Sequence, residues 1–278
     1  MKNERAAWLF FWLLLAINAV SIFGYATFTL HPELLAQSPW AARVFGFTYA
    51  VFARAQILIA FLSIVFMLVA RTGLAWVPSL VAVLALSLAS EVIGVGYGVP
   101  FGRYEYTELL GPKVAGVPYL IPISWFFMAV VCYRLALHLS RHRPSRVFRC
   151  LAAALLLSAW DLTLDPAMSH LSPFWVWAEK GVYYGSPLLN LFGWFVTGVV
   201  LMASFEVLRS RRWVEKLTPE YATAFYAANL MLPLGLVICS KLWGAVAVSA
   251  GAYALIGAWV MARAKWIPPV AVAPNPGT

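Results

Sequence analysis

The stretch SAWDLTLDP, residues 158–166, sets Asp161 and Asp165 four positions apart directly after the apolar run Leu151 to Leu157. Residues at that spacing share one face of a helix, with Cβ atoms about 5–6 Å apart. Carboxyls inside a hydrocarbon-length helix are costly, face an interior, and by default mark a functional site. Pro166 disfavours helical backbone at the residue before it, so the helix is expected to end at Asp165. There the carboxylate would meet the negative end of the helix dipole. Low dielectric and a neighbouring carboxylate act in the same direction, so one of the two is expected to hold its proton near neutral pH. A buried acid that holds a proton is what general acid catalysis requires.

Span direction adds a third acid. The third and fifth apolar segments cross a membrane the same way and end near Glu91 and Asp165, which puts all three carboxyls at one depth. Arg54, about a turn into the second segment, and Asn190, at the start of the sixth, can reach that layer. Around it fall Tyr97, Arg103, Tyr104, Tyr106, Trp125, Trp160, Tyr183, Tyr184 and Trp194. These residues describe an acidic pocket with aromatic walls, and aromatic faces stabilise cations. Each also has a plain structural use. The aspartates can cap backbone or pair with Arg54 or Arg103, and Glu91 can sit at the membrane interface. Arg54 can snorkel, and Arg103 and Tyr104 in PFGRYEYT can order a loop. His170 lies near the acids but alone; Glu105, Glu108 and Glu179 are expected to be solvated.

The elements that must hold these residues are membrane spans. The chain has 278 residues, 63% apolar and only 11% charged. Several of its runs are long enough to cross about 30 Å of hydrocarbon. Eight spans are expected near residues 7–29, 50–70, 75–95, 118–138, 150–166, 187–207, 222–240 and 243–262, an all-α polytopic bundle forming one transmembrane domain over residues 1–278. The start, MKNERAAWLFFWLLLAINAV, resembles a signal peptide, but its apolar stretch runs long and no small-residue cleavage site follows, so a retained first helix is expected.

Eight spans put both termini on one side, and loop charge says which. Thirteen basic residues fall on the side of the termini: Lys2, Arg5, Arg71, Arg141, Arg143, Arg146, Arg149, Arg209, Arg211, Arg212, Lys216, Arg263 and Lys265. Six fall opposite: Arg43, Arg54, Arg103, Lys113, Lys180 and Lys241. The bias places the termini in the cytoplasm. It also accounts for the net charge of +9 without nucleic acid, since the basic residues form no stripe with stacking aromatics. His138 and His142 belong to the same basic side, and His31 is expected at an interface. Cys132, Cys150 and Cys239 sit in or beside apolar runs without ligand spacing and read as small core residues. Neither a metal nor a redox cofactor is expected.

The loops opposite the termini are long and rich in Gly, Pro and aromatics, a composition for ordered caps rather than disorder. A weak internal repeat joins them. GVPYLIPISWFF from Gly116 and GSPLLNLFGWFV from Gly185 share five of twelve positions, and each follows an acid, Glu91 or Asp161, at similar distance. Spans three and four would thus repeat as spans five and six in the same orientation, with a site at the repeat interface.

With these residues on the page, the chain resembles a known family, the membrane-bound carotenoid hydratases of bacteria and haloarchaea. The likeness runs through EVIGVGYGVPFGRYEYTELLGP (91–112), VPYLIPISWF (117–126), WDLTLDPAM (160–168) and YYGSPLLNLFGWF (183–195), within residues 45–240. It implies addition of water across the terminal 1′,2′ double bond of an acyclic carotenoid end, γ-carotene- or lycopene-like, to give a tertiary alcohol. The implied partners are a membrane-dissolved carotenoid, water and the lipid bilayer of a bacterial or archaeal cytoplasmic membrane, with other enzymes of the pathway as candidates. The residue chemistry suits this. Asp161 or Asp165 would protonate the alkene. Trp160, Trp125 and Tyr183 would face the tertiary cation, and Glu91 with Asn190 would hold the attacking water.

Two other functions fit parts of the pattern. DLTLD has the D-x-x-x-D spacing by which intramembrane prenyltransferases hold Mg²⁺ and a diphosphate, but the partner motif with two Asp beside an Asn in an early span is missing. A proton-coupled transporter also uses paired acids, though it usually shows broken helices near the midplane and an inverted repeat. A non-catalytic scaffold would tolerate loss of both aspartates.

Overall fold

The computed structural model describes residues 2–140 and 145–265. Arg141, His142 and Arg143 of the basic loop lie outside the described residues, as do the side chains of Arg263 and Lys265. Among the described residues, eight helices are long and apolar enough to cross a membrane. The protein is an all-α polytopic membrane bundle.

The first helix, α1 (Lys2–Gly24), widens into one π turn at Tyr25–Thr29, and the short α2 (Pro32–Ala36) leads into α3 (Pro39–Thr72). The second span therefore begins well before residue 50. Ser38 Oγ accepts from Ala41 N at 3.3 Å and Pro39 takes the first turn, which together start the helix. After α4 (Val77–Tyr97), Gly98 at φ 75° supplies the left-handed residue that stops it. Next come β1 (Tyr104–Tyr106), a 3-10 turn at Glu108–Leu110, and the hairpin β2 (Lys113–Val114) and β3 (Val117–Pro118). Ala115 and Gly116 turn that hairpin with φ of 49° and 84°, as a two-residue hairpin loop requires.

The second half holds α5 (Leu120–Leu139), α6 (Arg146–Asp165), a π turn at Pro166–Leu171 and β4 (Trp175–Trp177). It ends with α7 (Leu188–Val207), the short α8 (Arg211–Val214), α9 (Pro219–Cys239) and α10 (Trp243–Lys265). The apolar windows of the α5 and α6 spans are 78% and 72% buried, against 50% or less for the others, so these two are the centre of the bundle. α7 and α10 pack against α6, while α1 pairs with α3.

Pro166 does not end the fifth span as its sequence position predicts. The chain stays helical through the wider turn to Leu171. Proline lacks the N–H that would bond the carbonyl four residues back and crowds that carbonyl. Here the Tyr183 hydroxyl donates to that very oxygen, Leu162 O, at 2.6 Å, and the wider turn gives the ring room. Asp165 therefore sits inside a continuous helical segment rather than at a free helix end.

Beyond α4 and α6 the chain forms a cap rich in aromatic residues. β1 and β4 pair antiparallel in the register Tyr104↔Trp177, Glu105↔Val176 and Tyr106↔Trp175. Alternate side chains of a strand point to opposite faces. Glu105 and Val176 are accordingly exposed, while Tyr104 and Tyr106 are buried. Arg54 holds the next turn in place, donating to Leu109 O at 2.9 Å and Glu108 O at 3.0 Å.

Features of the weak repeat coincide in space. Gly116 and Gly185 both have left-handed φ, 84° and 91°. Trp125 and Trp194, equivalent in the alignment, stack at 4.2 Å with 25° between their planes. α4 and α6 each lead into one strand of the β1–β4 ribbon.

Candidate active site

Glu91 lies on α4 one turn before Gly94 and is buried. Its Oε1 accepts from Trp125 Nε1 at 2.8 Å; its Oε2 accepts from the Tyr106 hydroxyl at 2.8 Å and from the Tyr104 hydroxyl. The inward face of β1 thus delivers two phenols to one carboxyl. Burial, then the Glu91 charge, pushes both Tyr104 and Tyr106 well above the usual tyrosine range. Both remain protonated donors at any working pH.

Asp161 and Asp165 share one face of α6, as their spacing predicts, and both are buried. Asp161 Oδ2 accepts from Asn190 Nδ2 at 3.0 Å, and Asp165 Oδ1 accepts from Trp175 Nε1 at 2.9 Å. Among the described residues, five buried side-chain polar atoms lack a hydrogen-bond partner, and three lie here: Asp161 Oδ1, Asp165 Oδ2 and Trp177 Nε1. Trp177 and Ser186 face Asp165 beside Trp175, so Asp161 Oδ1 is the most isolated of the three, and buried polar groups are rarely left unpaired.

The indoles form a connected wall. Trp194 stacks on Trp125 and meets Trp160 edge to face at 5.9 Å. Trp160 Nε1 is anchored on Asn229 O at 3.2 Å. The N–H groups of Trp125, Trp175 and Trp160 are spent on Glu91, Asp165 and the Asn229 carbonyl, which fixes the orientation of the rings.

Two chambers meet at this wall. The larger, about 340 Å³, lies among α1, α3, α5, α6 and α9 and is lined chiefly by apolar groups, with Gln56, Asn229 and Trp160 on its surface. The smaller, about 50 Å³, is lined by Glu91, Tyr104, Tyr106, Trp125, Trp177, Trp194 and Asn190. Ile121, Ser124, Leu164 and Trp175 line both, so the two are neighbours separated by a single layer of side chains. Glu91 is the carboxyl on the wall. Asp161 and Asp165 stand one side chain behind it, connected through Asn190 and Trp175.

The remaining expected site residues make contacts of their own. Tyr97 is 79% exposed and lies outside the cluster. Tyr184 accepts from Ala245 N at 3.1 Å and packs on His170, tying the loop before α7 to α10. Tyr183 completes the α6 backbone at Leu162, and burial, then Asp161 nearby, pushes its hydroxyl upward. Arg103 packs over Gly98, and its carbonyl accepts from Ala178 N at 2.9 Å, extending the β1–β4 ribbon. Among the described residues, neither Arg54 nor Arg103 forms an ion pair with the three carboxyls. Trp175, Trp177, Gln56 and Asn229 were not expected at the site. The alternation in FWVW was a strand signal for the first two, and the polar residues inside ARAQILIAFL and YAANLMLPLG marked the others.

The chain matches the family model described as carotenoid biosynthesis protein over residues 46–256. It belongs to the carotenoid biosynthesis protein family. The matched range holds every residue of the carboxyl cluster and both chambers' α5 and α6 walls. Within 138 residues this family member is 35% identical to the bisanhydrobacterioruberin hydratase of Haloarcula japonica. That match covers 49% of this chain and 45% of the relative's length. No solved structure matches the chain.

Proposed function

We propose that this protein is a carotenoid hydratase, adding water to the 1′,2′ double bond of an acyclic carotenoid end. The observation that carries the reading is the apolar chamber abutting a small polar one whose lining holds Glu91 together with Trp125, Trp175, Trp177 and Trp194. An apolar pocket with a few convergent polar groups is the usual form of a small-molecule site. The hydratase from Haloarcula japonica supports the reaction class.

An isolated alkene does not add water at neutral pH until it is protonated. A carboxyl proton goes to the less substituted carbon of the terminal double bond, whose π pair forms the new C–H bond. The tertiary cation left on the neighbouring carbon lies against the indole faces of Trp125, Trp194 and Trp175. A water oxygen bonds that carbon and surrenders one proton to a carboxylate, which restores the acid. The net change is one water, with no oxidation or reduction.

Its position on the chamber wall supports Glu91 as the group that exchanges protons with the substrate. Asn190 lines the chamber and its amide nitrogen donates to Asp161, which leaves its carbonyl oxygen as the group to hold the water. The unpartnered oxygen of Asp161 supports a second assignment, in which an aspartate supplies the proton and Glu91 receives the one that water loses. In either assignment the eight spans act as one domain in a prokaryotic cytoplasmic membrane, with the carboxyls near the face opposite the termini.

Mass spectrometry of pigments from a γ-carotene-producing host tests this. The expected product is the parent plus one water, lost with Glu91→Gln by about 10²–10⁴-fold, the usual contribution of a general acid or base. Loss with Asp161→Asn or Asp165→Asn while Glu91→Gln stays active would move the proton to the aspartates. A product heavier by an isoprenoid unit, or none from a well-expressed chain, would sink the hydratase reading.

A further inference from the structure

We infer that Ser124 holds the attacking water at the boundary of the two chambers and so decides the fate of the cation, captured as an alcohol or returned to an alkene. The inference rests on the hydratase reading and adds the residue on which the outcome of that reaction turns.

Among the described residues, four line both chambers: Ile121, Ser124, Leu164 and Trp175. Ile121 and Leu164 are apolar, and the Trp175 N–H is engaged by Asp165 Oδ1 at 2.9 Å. Ser124 is the one of the four with a side-chain oxygen. It stands in the second turn of α5, next to Trp125, which donates to Glu91. α5 belongs to the buried centre of the bundle, yet Ser124 is only partly buried, as a residue bordering two cavities must be.

A serine hydroxyl carries one hydrogen and two lone pairs. The Ser124 hydroxyl donates to Ile121 O at 2.8 Å, an ordinary bond for a serine inside a helix. With its hydrogen spent, the oxygen is left as an acceptor. In the smaller chamber, Tyr104 and Tyr106 spend their hydroxyl hydrogens on Glu91. The side-chain acceptors that remain for a water are Glu91, the Asn190 carbonyl and Ser124. Of these, Ser124 alone also borders the larger chamber.

A water attacks through a lone pair, so its hydrogens have to be directed away from the cation. Ser124 accepts one hydrogen and Glu91 or Asn190 the other, which leaves the lone pairs for the carbon. Holding a reactant in its productive orientation is a large part of what a site can contribute. Without it the cation has a second outlet. A neighbouring C–H gives its proton to a carboxylate, and its bonding pair closes a π bond. The result is the parent alkene or a positional isomer, with no oxidation or reduction and no water gained.

Both outlets can be counted in D₂O with purified protein in vesicles. Deuterium delivered by the acid is retained in the alcohol, in the isomer and in part of the recovered substrate, so mass spectrometry reads alcohol against deuterated alkene. Ser124→Ala should lower that ratio by about three- to tenfold, the scale of one neutral hydrogen bond. Ser124→Thr keeps the oxygen and should stay within about twofold of wild type. Ser124→Val, of the same shape without the oxygen, should fall as the alanine variant does. A merely structural serine would lower both products together and leave their ratio alone. An unchanged ratio in the alanine and valine variants, or loss of both products together, would overturn the inference and leave the hydratase reading standing. No alcohol from the wild-type protein would remove that reading, and this inference with it.

Discussion

Glu91 is buried with three donors aimed at it, and each donor comes from a different place: Trp125 from a helix, Tyr104 and Tyr106 from a strand. Removing one donor while keeping its ring separates electrostatics from shape. Trp125→Phe keeps an aromatic face against the chamber and loses the indole N–H. A hydrogen bond to a charged group contributes about 1.5–3 kcal/mol, so hydration should slow by about 10- to 100-fold, with KM little changed; steady-state kinetics on reconstituted protein measure this. The tyrosines give a pH prediction with a definite sign. Burial and Glu91 raise them above the usual value of about 10. The fold then favours the protonated phenols, whereas the unfolded chain gains by ionising them once pH passes about 10. Their contribution is thus present below about pH 10 and lost as pH rises above it. Thermal unfolding in detergent should fall less steeply above pH 10 for Tyr106→Phe than for wild type.

At the scale of elements, the site depends on close approach between α4 and the cap. A Cβ added at Gly94 would come within 2.8 Å of the Phe101 ring and 2.9 Å of the Tyr104 hydroxyl. Glycine is required there by space, since Gly94 is an ordinary helical residue one turn after Glu91. Gly94→Ala should push Tyr104 off Glu91, lower activity by at least tenfold, and cost about 1–3 kcal/mol through overpacking. Activity and melting temperature measured on the same preparation check both parts. The α6 segment shows the same dependence on a distant partner. Its passage through Pro166 is completed by Tyr183, a residue from the following loop.

Across the whole molecule, stability and chemistry are separated along the bundle axis. At the end away from the carboxyl cluster, Arg149 Nε and Nη2 donate to Glu206 Oε1 and Oε2 at 2.8 and 3.0 Å, and the Tyr133 hydroxyl donates to Glu206 Oε1 at 2.9 Å. These contacts join α5, α6 and α7. Arg149 is buried at 4% exposure, and removing one partner of such a pair costs about 3–5 kcal/mol. Glu206→Ala should lower the melting temperature markedly while leaving kcat/KM of the surviving folded protein within about threefold of wild type, a difference that thermal and kinetic measurements on one sample resolve.

The local pattern of residues was sufficient for the eight spans, for the shared face of Asp161 and Asp165, and for the nearness of Glu91, Trp125, Trp160, Trp194 and Asn190. Each follows from hydrophobic run length or helical period, which are properties of neighbours in the chain. The paired strands were legible only as alternation in YEY and WVW, because their partners are some seventy residues apart. Which carboxyl faces the chamber was not written in any local pattern. Glu91 and Asp161 begin equivalent halves of the weak repeat, yet one lines the wall and the other stands behind Asn190. Arg54, Tyr97 and Tyr184 were near the acids by depth alone; their direction around the helix or loop carried them elsewhere. Sequence spacing sets depth in the membrane and the face of one helix. Only packing against the other helices decides which faces enclose space and which fill it.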